Sequence, residues 1–266
     1  MKQTSVIPMI ELQNLKRNFG NRTAVDGVSF SVPDGQICGY LGPNGAGKTT
    51  TVKMLTGMIP PTSGTARISG YDVLENPIEV KNRIGYVPES GALYQSLTPL
   101  EYLQFTGRLY HMDEKELVNR IHDLAVFFKL DEHLHETMQS FSKGMKQKVV
   151  ILSAVLHNPE VILLDEPLNG LDAGSAMLLK KLLRHLAEQG RTIFYCSHIL
   201  EVVENLCDRV IIINQGRIAA DGSVLDLKSL TRQASLEGVF SQLTSEEDTT
   251  ALAQALSRKI TSGGDL

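Results

Sequence analysis

The first 35 residues carry the apolar pattern of β-strands. Apolar residues occupy every second position over 28–32, and a second apolar run covers 10–15. Alternation with a period of two is the pattern of a strand that buries one face. Asp26-Gly27 and the Pro-Asp-Gly sequence at 33–35 are typical of turns. The pattern therefore predicts an N-terminal antiparallel β region with turns at these two places.

Farther along the chain, the pattern changes first to helical spacing and then to short strands alternating with helices. From 100 to about 156, apolar residues recur at helical spacing, which predicts a helical lobe. The later segments are predicted strands at 161–164 and 192–195, predicted helices at 176–186 and 199–206, and a closing hairpin over 210–214 and 217–220. Such alternation predicts parallel strands joined by crossover helices.

The composition narrows the possible partners. The chain has 266 residues, of which 42% are hydrophobic and 21% charged, and its formal net charge is −4. Lys and Arg are scattered rather than grouped in a stripe, so nucleic acid is not an expected partner. Three separated cysteines, Cys38, Cys196 and Cys207, favour small buried side chains over a disulfide framework or a zinc site.

No segment has the pattern of a signal peptide or a membrane span. The N-terminal sequence MKQTSVIPMI lacks a long apolar core, and apolar runs such as 149–156 are shorter than the ~20 residues that a spanning helix needs. We therefore expect a cytoplasmic chain that reaches the membrane only through a partner. Beyond Thr244 the sequence is polar, and we expect a weakly ordered tail there.

The most specific chemical motif begins at Gly42. A short apolar run at 36–41 leads directly into GPNGAGKTT, and helical spacing resumes at Val52. The motif fits G-x-x-x-x-G-K-[ST], a loop whose N–H groups surround the phosphates of a nucleotide. The predicted nucleotide-binding residues are Gly42, Pro43, Asn44, Gly45, Ala46, Gly47, Lys48, Thr49 and Thr50.

Two residues of this P-loop have specific predicted roles. Lys48 can bridge the β- and γ-phosphates, which also makes it a catalytic candidate, and the Thr49 hydroxyl can bind Mg²⁺. The alternative is a surface glycine loop without a ligand. That alternative is disfavoured because a strand pattern and a helix pattern flank the motif.

Two adjacent acids, Asp165 and Glu166, end the apolar run at 161–164. Ligands of open α/β sheets bind at the carboxyl ends of strands. Asp165 could hold the hydration shell of Mg²⁺, while Glu166 could polarise a water molecule for in-line attack on the γ-phosphate. The alternative is a strand end that reaches solvent, where acids are common.

His198 follows the predicted strand at 192–195. A lone histidine after a strand is more often structural than catalytic. However, this one lies at the carboxyl end of a strand predicted to neighbour the Glu166 strand. Its position, rather than its residue type, makes it a catalytic candidate.

Ser142, Lys143 and Gly144 precede a helix predicted from Met145 onward. A serine, a flexible glycine and a helix N-terminus together can bind an anion. The alternative is an ordinary serine that caps the helix. The residues alone leave open why one chain would carry a second anion-binding loop.

The motifs GPNGAGKTT, FSKGM followed by KQK, LLDEP, GLD and SH, in this order, closely resemble those of the ATP-binding-cassette (ABC) ATPases. The resemblance extends from about residue 9 to residue 230. It implies an α/β fold: a P-loop NTPase core with a mixed sheet, an N-terminal antiparallel β region and an inserted helical lobe. The implied domains are a nucleotide-binding domain at 8–230, with the lobe at about 95–157, and a short helical extension with a polar tail at 231–266.

The resemblance also implies cofactors and partners. ATP and Mg²⁺ are the expected cofactors, with Glu166 driving hydrolysis and His198 holding the γ-phosphate. In the family, the signature loop of one subunit, here residues 142–144, caps the γ-phosphate on the P-loop of another. The expected partner is therefore a second ABC subunit placed head-to-tail, either a copy of this chain or a close paralogue. Leu171 and Asp172 match the loop that contacts that partner.

The resemblance gives candidate roles to two further positions. Phe19 lies where the family places an aromatic ring that stacks on adenine, and the alternative is a buried phenylalanine at a strand end. Glu89 follows the strand sequence IGYVP, where the family usually has glutamine. An acid keeps an oxygen for Mg²⁺ or water but loses the amide donor. A metal ligand and a simple loop acid both remain open for Glu89.

We interpret the chain as the ATP-hydrolysing subunit of an ABC transporter that energises a separate membrane permease from the cytoplasmic face. The sequences FSKGMKQK and NGLD are closer to the export-type branch than to the nutrient importers, which usually read LSGGQ. The alternative is a soluble ABC ATPase with a regulatory or mechanical role. The transported molecule is not readable from this chain, because the permease selects it.

Overall fold

The computed structural model describes residues 8–90 and 93–244. Within this part of the chain there are ten strands: β1 (Ile10–Phe19), β2 (Arg22–Val32), β3 (Ile37–Leu41), β4 (Ser63–Ile68), β5 (Tyr71–Asp72), β6 (Ile84–Val87), β7 (Val161–Asp165), β8 (Thr192–Ser197), β9 (Arg209–Asn214) and β10 (Arg217–Gly222). The α-helices are α1 (Lys48–Leu55), α2 (Pro77–Arg83), α3 (Pro99–Leu109), α4 (Glu114–Phe127), α5 (Lys143–Val155), α6 (Ala173–Glu188), α7 (Leu200–Leu206), α8 (Val224–Thr231) and α9 (Leu236–Thr244).

The strands form two sheets. One is a four-stranded antiparallel sheet in the order β2-β1-β4-β5. The other has the order β10-β9-β3-β8-β7-β6, in which only the β9–β10 pair is antiparallel. This arrangement confirms the predicted α/β class, the mixed sheet and the N-terminal antiparallel region. The weakly ordered tail predicted beyond Thr244 lies outside the described residues.

The central strands of the mixed sheet are buried on both faces. All five residues of β3 and all five of β7 are buried. Successive side chains of a strand point to opposite faces, so Ile37 and Leu41 pack with the helices of one core, while Cys38 and Tyr40 pack toward the antiparallel sheet. Apolar runs without alternation are thus explained by burial on two sides.

The predicted helical lobe consists of α3, α4 and α5, which lie between β6 and β7 in the chain. Polar side chains define where these helices begin. Thr98 and Glu101 form a reciprocal capping box at the start of α3, and the Asp113 carboxylate accepts two N–H bonds at the start of α4. Ser142 caps α5, so this helix begins at Lys143 rather than at Met145 as predicted.

One predicted turn is wrong. Asp26-Gly27 lies inside β2, and the chain reverses between Phe19 and Arg22 instead. Gly27 has a φ of 69°, and the pairing register with β1 shifts between the Leu15 and Arg17 positions. An Asp-Gly dipeptide provides the left-handed conformation that a β-bulge needs as readily as that of a turn.

Cys38, Cys196 and Cys207 are free and buried, as predicted for small core side chains. No helix within 8–90 or 93–244 combines the length and the apolar character that a membrane crossing requires.

Candidate active site

The P-loop connects the carboxyl end of β3 to the first residue of α1. Gly47 caps α1 in a left-handed conformation, with a φ of 111°. A Cβ atom on Gly47 would lie 2.5 Å from the carbonyl oxygen of Ala24, and one on Gly42 would lie 2.4 Å from that of Ile213. Only glycine fits at these two positions, because β2 and β9 approach the loop backbone directly.

Lys48 is held by the loop that it follows. Its Nζ donates to the carbonyl oxygens of Gly42, at 2.6 Å, and Pro43, at 3.2 Å. The side chain is only 7% exposed. An ammonium group has three protons, so these two bonds fix its position and leave a donor for an anion at the loop.

A cleft of about 540 Å³ opens beside the P-loop. We call it the P-loop cleft. The predicted site residues that line it are Phe19, Asn44, Gly45, Gly47, Lys48, Thr49, Thr50, Glu89, Asp165 and Glu166. Gly42 and Ala46 are buried behind the loop. The structure therefore gathers residues that lie far apart in the sequence around one cleft.

Asp165 is the last residue of β7 and is fully buried. Neither oxygen of its carboxylate meets a hydrogen-bonding partner among the described residues. Burial raises the pKa of Asp165, and the nearby Thr49 hydroxyl, although outside hydrogen-bonding geometry, offsets part of that rise. An unpaired buried carboxylate at a ligand cleft is what a site for a cation requires.

The donors around Asp165 fit Mg²⁺ better than a metal held by protein alone. Among the described residues, no group of three or more His, Cys, Asp or Glu side chains is close enough together to hold a metal ion. Mg²⁺ is typically held by one or two carboxylates together with water and substrate phosphates. One buried aspartate, the Thr49 hydroxyl and the exposed Glu89 on the cleft wall match that pattern.

Glu166 leaves the strand in a left-handed conformation, with a φ of 51°. Its backbone N–H donates to the carbonyl oxygen of Cys196 at 3.0 Å. Its carboxylate accepts a 3.1 Å bond from the Ser197 hydroxyl and pairs with Nδ1 of His198 at 2.7 Å. Left-handed backbone is costly for a residue with a side chain, and these three contacts, with the last two residues of β8 and with His198 just after it, hold it there.

His198 is therefore next to Glu166, as expected from the prediction that the strand before His198 neighbours the strand before Glu166. β7 and β8 pair in parallel, with Asp165 opposite Cys196. The His198 side chain is 53% exposed, whereas that of Glu166 is 6% exposed. The structure thus brings the predicted base and the predicted histidine into direct contact, with the histidine on the open side.

Phe19 ends β1 and lines the P-loop cleft, and it is 48% exposed. The alternative of a buried phenylalanine is therefore wrong. The Arg17 guanidinium lies 4.6 Å from the centre of the Phe19 ring, on one of its faces. A ring that is exposed at the edge of the cleft can stack on a planar ligand.

The signature loop, residues 142–144, does not line the P-loop cleft of the same chain. The Ser142 hydroxyl accepts the N–H of Met145 at 3.2 Å, so the ordinary capping role is present. Ser142 and Lys143 are exposed. A Cβ on Gly144 would lie 2.5 Å from the carbonyl oxygen of Gly170, so the signature loop packs closely on the loop that follows β7.

Comparison with known proteins decides the family. The sequence profile described as ABC transporter matches residues 25–169, which is more than half of the chain. The chain belongs to the ABC transporter family. The match confirms the resemblance seen in the motifs, and it identifies the chain as an ATP-binding, ATP-hydrolysing subunit of that family.

Two relatives illustrate the match to ABC ATP-binding proteins. The linearmycin resistance ATP-binding protein LnrL of Bacillus subtilis is 39% identical over 221 residues, covering 83% of this chain and 71% of that protein. The Nod factor export ATP-binding protein I of Ralstonia nicotianae is 36% identical over 220 residues, covering 83% of this chain and 68% of that protein.

Solved ABC structures share the fold. An ATP-binding subunit of an ABC transporter superposes with a TM-score of 0.85 at 33% identity, covering 89% of this chain and 100% of that one. A bacterial ABC transporter cassette, solved as a dimer, gives a TM-score of 0.76 at 24% identity, covering 81% of this chain and 98% of that one. The second likeness concerns the fold alone.

Sequence reasoning missed three residues of this ABC site. Arg22 and Ala24, on β2, line the P-loop cleft, and Ser197 holds the Glu166 carboxylate. No local motif marks Arg22 or Ala24, because only the folding of the β1–β2 hairpin brings them to the P-loop. Ser197 belongs to the SH motif, which was the available signal, but sequence reasoning assigned a role only to His198.

Proposed function

We propose that this ABC ATPase hydrolyses ATP in the P-loop cleft, between the loop N–H groups and the end of β7. The observation that carries the proposal is the single cleft lined by Lys48, the buried Asp165 and Glu166. A cationic hydrogen-bond donor and two carboxylates in different environments suit phosphoryl transfer to water.

Binding of ATP is assigned to the P-loop and to Phe19. The loop N–H groups and the Lys48 ammonium would bind the β- and γ-phosphates, helped by the N-terminus of α1. The exposed Phe19 ring at the cleft edge would stack on the adenine. Arg22, also on the cleft wall, would add positive charge near the phosphates.

Mg²⁺ is assigned to Thr49 and Asp165, with Glu89 as a further oxygen donor. When bound, the ion would neutralise charge on the phosphates of ATP. The buried and unpaired carboxylate of Asp165 supports this assignment. Glu89 lines the same cleft, but its role as a ligand remains a prediction.

Glu166 is proposed as the residue that polarises the attacking water. Its two hydrogen bonds orient the carboxylate, and two oxygens with four acceptor sites still leave room for water. His198 would turn from Glu166 toward the γ-phosphate when ATP binds. Its half-exposed side chain is free to make that movement, whereas the buried Glu166 is not.

The second anion-binding loop is proposed to serve ATP held by another subunit. Ser142, Lys143 and Gly144 are absent from the P-loop cleft of their own chain, and Ser142 and Lys143 are exposed. One P-loop and one signature loop per chain make two complete sites only if two chains associate head-to-tail. A cassette of the same fold has been solved as a dimer.

The dimer is proposed to drive an integral membrane permease from the cytoplasmic face. Closure on ATP and opening after hydrolysis would supply the mechanical step. The direction is proposed as export, because the relatives include a Nod factor export protein and a linearmycin resistance protein. The alternative, a soluble regulatory or mechanical ATPase, predicts that the chain purifies without any membrane protein.

The test is ATP turnover in Glu166→Gln. Removing a general base typically lowers the rate by about 10²–10⁴-fold, and ATP binding should persist because the P-loop is unchanged. Glu160→Gln is the matched control, because Glu160 lies at the opposite end of the same strand, where it accepts a bond from Ser69. A Glu166→Gln variant that hydrolyses ATP at the wild-type rate would exclude Glu166 as the base.

A further inference from the structure

We infer that Ser197 is a positioning residue that sets the orientation of the Glu166 carboxylate. The two side chains lie on neighbouring parallel strands, and the Ser197 hydroxyl is 3.1 Å from Oε2 of Glu166. This inference rests on the proposed role of Glu166 in polarising water. It concerns the serine of the SH motif, in which a role was predicted only for His198.

The direction of the hydrogen bond follows from the carboxylate, which can only accept when ionised, so the hydroxyl proton is directed at Glu166. The hydroxyl oxygen is then free to accept, and the backbone N–H of Ile199 donates to it at 3.0 Å. Ser197 therefore links the backbone of the loop after β8 to one specific oxygen of Glu166.

The other oxygen is held differently. Oε1 pairs with His198, whose side chain is 53% exposed, whereas Ser197 is 1% exposed. A side chain buried in the sheet cannot move far, but a half-exposed imidazole can turn toward a ligand. Ser197 therefore keeps the carboxylate in place while the bond to His198 is made and broken.

The same strand end also anchors the Glu166 backbone. The carbonyl of Cys196 accepts the Glu166 N–H at 3.0 Å, so three consecutive residues, 196–198, contact one glutamate. A catalytic group held at both its backbone and its side chain is preorganised for reaction. Loss of the Ser197 bond should therefore lower kcat and leave ATP binding unaffected.

The experiment measures kcat, KM and ATP affinity for Ser197→Ala and Ser197→Cys. Cysteine keeps most of the serine volume but is a poor hydrogen-bond donor. We expect both variants to lose about 10- to 100-fold in kcat, the range given by one hydrogen bond to a charged group, with KM within about twofold of wild type. Thermal unfolding is followed for each variant, and Ser197→Cys carries the test if the alanine variant fails to fold.

Thr192→Val is the matched control. Thr192 is also buried and begins β8, and its hydroxyl donates to the Pro33 carbonyl oxygen rather than to the site. This variant loses a buried hydroxyl from the same strand, and its kcat should stay near wild type. A loss in Thr192→Val equal to that in Ser197→Ala overturns the inference, because any damage to β8 would then suffice.

Combination with Glu166→Gln separates the inference from the proposed function. If Ser197 acts through Glu166, Ser197→Ala should cause little further loss in the Glu166→Gln background, because coupled residues are not additive. If Ser197→Ala lowers kcat equally in the wild-type and Glu166→Gln backgrounds, the inference is overturned. It is also overturned if Ser197→Ala keeps the wild-type kcat, or if Ser197→Cys alone does. Near wild-type turnover of Glu166→Gln itself overturns the proposed function, and the inference with it.

Discussion

Asp165 and Glu166 are neighbours in the chain, yet the backbone gives them opposite environments. Asp165 remains in the strand, buried and without a hydrogen-bonding partner among the described residues, whereas Glu166 turns into a left-handed conformation and is held by three contacts. Separate environments allow two adjacent carboxylates to serve different roles, one toward a cation and one toward water. The different environments of these two neighbouring carboxylates follow from the change of backbone conformation at Glu166.

Replacing Asp165 with asparagine should stabilise the protein while it removes activity. The pKa of Asp165 is raised mainly by burial, so the charged form opposes folding near neutral pH. In EDTA and without nucleotide, Asp165→Asn should raise the thermal midpoint, by about 2–4 °C for each kcal/mol gained. Asp123→Asn, at an exposed position on α4, is the control. A lower midpoint for Asp165→Asn would contradict the view that its charge is unpaired.

Glu89 tests whether an acid can replace the glutamine usual in the family. If its oxygen contacts Mg²⁺ or the attacking water, Glu89→Gln should keep substantial ATP turnover, because a polar side chain of the same length remains. Glu89→Ala should lose permease-stimulated turnover more than basal turnover, because Glu166 is untouched. Steady-state assays with and without the permease make the comparison. Wild-type behaviour of Glu89→Ala in both assays would reduce Glu89 to a loop acid.

Residues inside ordered motifs could be predicted from the sequence, and residues recruited by folding could not. Lys48, Asp165 and Glu166 lie where a strand or helix pattern predicted them, at one cleft. Arg22 lies in no motif, and the SH motif marked Ser197 only as the neighbour of His198. Their roles depend on which strands are adjacent and on the hydroxyl geometry, and neither is encoded in local residue spacing.

At the scale of elements, the helical lobe is joined to the mixed sheet by a histidine. The ring of His157, just after α5, stacks on Tyr110 at the end of α3 with 3.6 Å between ring centres. Its Nε2 lies 3.0 Å from the carbonyl oxygen of Ile84, the first residue of β6. Its Nδ1 is buried without a partner among the described residues, so this ring fits its site in the neutral form.

Protein stability should therefore fall in mild acid through His157. Burial lowers the pKa of His157, the bond to Ile84 opposes that shift, and Arg120 adds to it. The unfolded chain then binds the proton first, so this stability is present above pH ~6.5 and is lost as pH falls through the lower folded value. Thermal midpoints between pH 8 and pH 5 should fall less in His157→Gln than in wild type.

His122→Gln is the matched control for that series, because His122 is exposed on α4. It should show the wild-type dependence of the midpoint on pH. An identical dependence in His157→Gln and wild type would mean that other groups govern acid stability and that the buried ring does not.

Helices and strands were predicted well where burial produces a clear hydrophobic period along the sequence. They were predicted less well where a dipeptide such as Asp-Gly suits both a turn and a bulge. The apolar runs of β3, β7 and β8 and the helical spacing of α6 appear where the sequence predicted them. Asp26-Gly27 was placed in a turn but forms a bulge, because both need the same left-handed glycine. Pairing over the long β1–β2 hairpin decided between them.

At the scale of the whole molecule, the proposed ATP site is completed by a second subunit. The P-loop cleft and the signature loop lie at separate places in one chain, and neither completes the other. ATP bound to one subunit would be enclosed by residues 142–144 of the next. Sequence motifs named both loops, but only the structure shows that Ser142 is exposed and outside its own cleft.

The most direct test of this composite site is the mass of the protein in solution with ATP. Glu166→Gln should form a dimer with ATP and Mg²⁺ and remain a monomer with ADP, because ATP persists when hydrolysis is slow. Adding Ser142→Arg should keep ATP binding by the monomer but abolish the dimer, since the arginine side chain would occupy the space of the partner's γ-phosphate. Ser223→Arg, at the equivalent cap of α8, should leave the dimer intact. In light scattering, we predict an ATP-dependent dimer for Glu166→Gln, a monomer when Ser142→Arg is added and a dimer when Ser223→Arg is added. A dimer that persists when Ser142→Arg is added would contradict the composite site.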